Sequence, residues 1–389
     1  MNSFEGRMPF TSSERRMPAN GSERLQCRAE VLKIERVLAV APGGLSFLDG
    51  RSAADLRRFR EQAVAALFDR APDMIDRIAA ATRLVPATVS AAIAQKALGP
   101  RLAGAVAGRM EPARAAAVID RLPVAFTAEA CAHLDPRRIP GIVDRLDEDL
   151  LVRIAVHLAE RGDHLTMGRF VGHLRDSALL RIIPQVDDAA VLRTGFLIDR
   201  RDRLGQVVEL MGQERLARVV AAASGAGLWP EALAIADMVN AERRTQIAEL
   251  TADRPQEELE ALLSTVAAER LWQALLPLVA LLDDDRLRTV AALPALRDPA
   301  LLADAVRAVV ASGLWGAFLP LADALPTASR TVIAATAAGL PEADLSALLL
   351  DVEERNLWEL VLPLIELMPE AGKARVFALP AFRPAGPRA

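Results

Sequence analysis

Apolar residues fall three and four positions apart along most of this chain, as in Leu275, Leu276, Val279 and Leu282. That spacing places them on one side of a helix. The helical segments are short and are separated by Pro, Gly and Asp. The pattern is also periodic on a longer scale. All four tryptophans follow a leucine, in Leu228-Trp229, Leu271-Trp272, Leu314-Trp315 and Leu357-Trp358, each pair 43 residues after the last. Pro277, Pro320 and Pro363 keep the same lattice five residues after their tryptophans, while the first unit has Ala234 there and Pro230 directly after Trp229. Self-similarity at a period of 20–50 residues is the mark of a stacked repeat array.

Each 43-residue unit is predicted to hold three helices. The first carries the Leu-Trp pair. The second begins near a polar cap such as Asp283, ahead of Arg286-Leu287-Arg288. The third begins at Asp298-Pro299, with Asp as N-cap and Pro in the first turn, and ends at Gly313. Arg254-Pro255 and Leu340-Pro341 mark the same start in neighbouring units. A unit of this size buries its apolar face only against its neighbours.

A looser 40-residue version lies upstream. The segment from His133 aligns without gaps to that from His173, pairing Leu134 with Leu174, Ile142 with Ile182, Asp147 with Asp187 and Arg153 with Arg193. Between about 203 and 227 the spacing leaves one helix too few, so an irregular joint between the two arrays is expected. The resulting division is a polar, disordered tail over 1–24, a helical region over 25–122, repeats of about 40 residues over 123–227 and repeats of 43 residues over 228–389.

Composition sharpens the class. Aromatics are 4% and Tyr is absent, while Ala and Leu dominate, which favours an all-α fold over one with strands. The expected architecture is a right-handed α-solenoid of short helices. Net charge is −4, without the basic excess that phosphate binding needs, so nucleic acid is not an expected partner. Residues 251–389 carry 19 acidic and 12 basic side chains, so the acidity is concentrated there. Two cysteines, Cys27 and Cys131, fit a reducing compartment. The longest apolar runs, such as 271–282, fall short of the roughly 20 residues of a membrane span. With no apolar leader at the start, the expected location is the cytoplasm.

The short helices with HLDPRR, LDEDL and LPEADL segments resemble the superhelical N-terminal domain of MgtE-type magnesium transporters and, more loosely, HEAT-type solenoids, over about residues 100–380. The resemblance implies a superhelix of short helices. The transporter's membrane domain has no counterpart, so neither transport nor any site residue carries over.

Candidate chemistry is sparse. The chain lacks GxGxxG, GxxxxGK[ST] and GxSxG motifs, and no catalytic residue or cofactor is assigned. Its four histidines, His133, His157, His164 and His173, fall within 41 residues, two positions after Cys131, and these five are the candidate metal ligands. His133 and His173 are equivalent residues of neighbouring units, and helices packed 8–10 Å apart bring them to one ion only if both side chains lean together. The tryptophans have two readings, a ladder lining a groove or anchors at the joints between units, and their leucine neighbours favour the second. The expected function is therefore a non-enzymatic scaffold or adaptor that binds a protein partner or self-associates, as the mean hydropathy of +0.20 and the apolar end near Phe382 suggest. Two alternatives are a carrier or sensor of an apolar small molecule, and an enzyme or metal site at 131–173.

Overall fold

The structure, a computed structural model, describes residues 21–68 and 72–379. Their regular secondary structure is entirely helical, as expected. From Trp229 onward, three helices recur per period. They are Trp229–Met238, Ala241–Ala252 and Gln256–Glu269; Trp272–Val279, Asp284–Ala291 and Pro299–Ser312; Trp315–Ala324, Thr327–Ala338 and Glu342–Arg355; then Trp358–Glu366 and Glu370–Phe377. The lattice prolines Pro277, Pro320 and Pro363 lie inside the first helix of their units.

Local chemistry sets the boundaries. Asp298 caps the third helix by accepting the Ala300 amide at 2.9 Å, and Asp283 accepts that of Arg286 at 2.8 Å. Upstream, the aligned pair Asp147 and Asp187 cap equivalent helices through the amides of Leu150 and Ala190. At the other end of the third helices the backbone turns left-handed at one lattice position, occupied by Gly227, Arg270, Gly313 and Asn356 in turn. That turn closes each third helix and starts the next Leu-Trp helix.

The helices pack mainly against those two places away in the chain. Val124–Cys131 contacts both Gly99–Ala107 and Glu148–Glu160, and Pro299–Ser312 meets Thr327–Ala338. Arginines reinforce the joints. Arg375 donates to the carbonyls of Ala338 at 2.6 Å and Leu340 at 2.7 Å, and Arg169 donates to those of Ala132 and Leu134. Each guanidinium thus satisfies carbonyls left open at the end of a helix one unit back. Gly168 allows one such joint to close, because a Cβ there would lie 2.5 Å from the Leu197 carbonyl oxygen.

The irregular joint lies at Leu204–Gly225, a helix interrupted at Gly212 with φ 69° and ψ 167°. Two helical segments meet there directly, without the helix that elsewhere separates them. One core runs through the joint and the 43-residue units, and a second fills the 40-residue units.

The structure corrects one boundary. The first helix, α1 (Gly21–Leu38), begins inside the span expected as a polar tail, and residues 1–20 of that span lie outside the described residues. The polar first turn of α1 is held by distant partners. The Gly21 amide donates to Gln273 Oε1 at 2.7 Å, and the Ser22 hydroxyl donates to Asp237. Polarity alone does not reveal such contacts. A loop leads from α1 to the second helix, α2 (Ala53–Phe68), which packs more closely on α1 than on any helix of the repeats.

Candidate functional site

The most highly charged interior of the molecule lies where α1 crosses the helices of the array. α1 contacts Trp229–Met238 and Trp272–Val279. Its first turn lies against Gln273, and Arg36 in its last turn pairs with Asp163. One helix therefore reaches from the 43-residue units back to the 40-residue units.

Only part of this contact is apolar. Leu25 and Ala29 join the large core, with Leu32 packed beside them. Cys27, Val31 and Ile34 instead form a separate small core with Leu56 of α2. Between the two lies an ionic cluster. Glu30, fully buried, accepts from Arg60 Nε at 2.9 Å and lies near Lys33 Nζ at 3.4 Å, Arg57 Nε at 3.5 Å and Arg201 at 3.8 Å. Lys33 Nζ also reaches Asp199 Oδ1 at 3.0 Å and donates to the Ile198 carbonyl at 3.2 Å. Arg60 bridges the same Asp199 at 3.3 Å.

Burial pushes the carboxyls of Glu30 and Asp199 towards protonation, but the adjacent Lys33 and Arg60 outweigh it and hold both below the usual carboxylate range. Both are therefore charged at neutral pH. Burial lowers the pKa of Arg201, and the like charge of Arg57 adds to this. A cluster of this kind contributes little net stability, yet removing one partner strands the rest at a cost of about 3–5 kcal/mol. Its effect is to fix the position of α1.

The array presents α1 with four carboxylates, those of Asp163, Asp199, Asp237 and Glu269, together with Arg201. Gln26 bridges Asp237 at 3.4 Å and Arg201 at 2.8 Å, and Arg28 lies 3.8 Å from Glu269. None of these residues stood out in the sequence. The available signal was Lys33, eight residues after Leu25 and four after Ala29, a charge in line with an apolar stripe.

The structure does not gather the histidines. Among the described residues no three His, Cys, Asp or Glu side chains form a group able to hold a metal ion. His133 and His173 occupy equivalent turns, after Val124–Cys131 and His164–Val171. His157 lies late in Glu148–Glu160, with Nδ1 4.0 Å from Glu160, and His164 opens its own helix. Burial, helped by nearby arginines, lowers the pKa of His133, His164 and His173. Cys131 lines an apolar space with Leu151, Met167 and Phe170, where burial pushes its thiol up to about 12.

The tryptophans are joint residues. Trp229, Trp272 and Trp315 are buried, and Trp358 is half-buried. Trp272 Nε1 donates to Asp304, in the third helix of its own unit, at 2.8 Å. The equivalent partner position for Trp229 is Ala261, and Trp229 Nε1 is buried with no hydrogen bond among the described residues. Two apolar spaces lie at such joints, one of about 60 Å³ beside Trp229 and Trp272, the other of about 80 Å³ beside Met211 and Ile235. Both are smaller than the ~150 Å³ void that admits benzene.

No family model, curated protein or solved structure matches the chain. The resemblance to the MgtE-type domain and to HEAT repeats therefore gains no support from relatives, and α1's seat has to be read from its own chemistry. Among the described residues no helix is long and apolar enough to cross a membrane.

Proposed function

We propose that this protein is a non-enzymatic α-solenoid scaffold that binds a helical segment of a protein partner along the face now occupied by α1. The observation that carries this reading is the seat itself, in which an 18-residue helix lies across several units, positioned by hydrogen bonds at its first turn and by ion pairs further along and at its last turn. Packing between helices two apart in the chain supports the solenoid assignment, since units that touch only near neighbours present long continuous faces. The two free cysteines support a cytoplasmic location. The small volume of the apolar spaces favours the scaffold over a carrier of apolar molecules.

The test uses the exposed loop between α1 and α2. A protease site is inserted between Gly43 and Gly44, the chain is cut there, and a fluorescent peptide of residues 21–38 is added. The peptide is expected to exchange into the seat at one equivalent and to be displaced by the same peptide unlabelled. A cut protein that stays helical by circular dichroism but never takes up the peptide would overturn the assignment.

A further inference from the structure

The seat has a definite charge preference, and its occupant is attached in an unusual way. Where unit meets unit, the core is continuous and apolar, and Trp272, Leu276, Phe318 and Leu319 are all buried in it. Where α1 meets the array, Leu25 and Ala29 supply the fully buried apolar contact, and the remaining contacts are mostly ionic or polar. A comparable share of α1's own apolar residues faces α2 instead. Cys27, Val31, Ile34 and Leu56 make a core that belongs to the two helices, with Leu45 and Leu48 of the loop packed on it. The pair thus holds a small core of its own, separate from that of the array.

The surface beneath is acidic. Asp163, Asp199, Asp237 and Glu269 face the occupant along its length, in company with Arg201. The occupant answers with Arg28, Lys33 and Arg36, with the Ser22 hydroxyl, and with Arg24 on the Glu269 carbonyl at 3.1 Å, while its one buried carboxylate against the array, Glu30, lies 3.8 Å from Arg201. Arg60 of α2 adds a further cation on Asp199. Charge complementarity of this kind selects a partner by sign and register more than by strength.

We propose that the seat is a docking site for a basic amphipathic helix of a partner protein, which enters by displacing the α1–α2 pair. This deepens the scaffold reading and rests on it. α1 is then an internal stand-in that covers the acidic face until a helix with cations at the same spacing competes for it. A partner helix with glutamates at those positions is rejected, because it sets like charges against Asp163, Asp199 and Asp237.

The experiment uses the uncut chain and two synthetic probes. Both are 18 residues long, the length of α1, with Leu and Ala at its apolar positions. One carries Lys and Arg at the polar positions, and the other carries Glu. A locked variant, S22C with D237C, ties α1 to the array by a disulfide at the point where the two native side chains hydrogen-bond. Fluorescence anisotropy is expected to show the basic probe binding the native chain, with the acidic probe at least about tenfold weaker. The oxidised locked variant is expected to lose the basic probe and to regain it on reduction. Equal binding to oxidised and reduced forms would place the probe elsewhere and overturn the proposal, as would a native chain that binds neither probe. If the loop-cut protein still exchanges its own peptide in that case, the scaffold reading survives and only the displacement by a basic helix falls.

Discussion

Single residues show where the repeat is well made and where it is not. The left-handed position before each Leu-Trp pair is Gly at 227 and 313 but Arg at 270 and Asn at 356. A side chain there costs about 1–2 kcal/mol, partly offset by the greater freedom of glycine in the unfolded chain. R270G and N356G are therefore each expected to stabilise the protein, by about 0.5–1 kcal/mol, read as a higher midpoint in urea. Asp304 is the reverse case. Its replacement by Ala leaves Trp272 Nε1 buried without its acceptor, and the expected loss is about 1–3 kcal/mol.

Titration provides another test at the residue scale. His133, His164 and His173 have folded-state pKa values below the ordinary value of about 6.5. Between that value and the depressed ones, the unfolded chain binds more protons than the folded one. Stability is therefore complete above about pH 6.5 and declines as pH falls through that point. Melting curves between pH 7.5 and 5.5 are expected to show this decline, and replacing the three histidines by Asn is expected to flatten it. Little of this was legible in advance. Gly313 was readable as a C-cap, whereas the left-handed Arg270 and Asn356 look like ordinary helix residues. The histidines stood out by their crowding in sequence, which the fold then spreads over several turns and helices.

At the scale of helices, the regular elements were readable and the exception was not. Asp298-Pro299, the Leu-Trp pairs and the paired Asp147 and Asp187 all mark helix starts by local chemistry, and local chemistry survives folding. The shortage between 203 and 227 was likewise visible as spacing, and within it the helix Leu204–Gly225 is interrupted at Gly212. The seat of α1 was invisible because its partners lie more than 100 residues away. Asp163, Asp199 and Asp237 look like any solvated acid until α1 pairs with them. Asp199 is the residue on which this element most depends, since Lys33 and Arg60 both lean on it. D199A is expected to loosen α1 and α2 selectively, seen as faster amide exchange over 21–68 with the units from 256 onward unchanged. Equal acceleration throughout would show that Asp199 supports the whole fold instead.

The molecule as a whole behaves, on this account, as a row of units with one helix pair laid across them. Deletion of residues 315–357 removes one period and joins Leu314 to Trp358, restoring a Leu-Trp junction. Because each unit touches near neighbours, the shortened chain is expected to fold with the α1 seat intact, at lower stability. The central claim is that α1 occupies a seat it can leave while the array stays folded. Hydrogen exchange followed by mass spectrometry on the native chain tests this most directly. Amides of residues 21–38 are expected to exchange through an opening less costly than global unfolding, while those of 256–269 and 299–312 stay protected. Exchange of α1 only together with those core helices would mean that it is a fixed part of the fold, and the account of a displaceable occupant would be wrong.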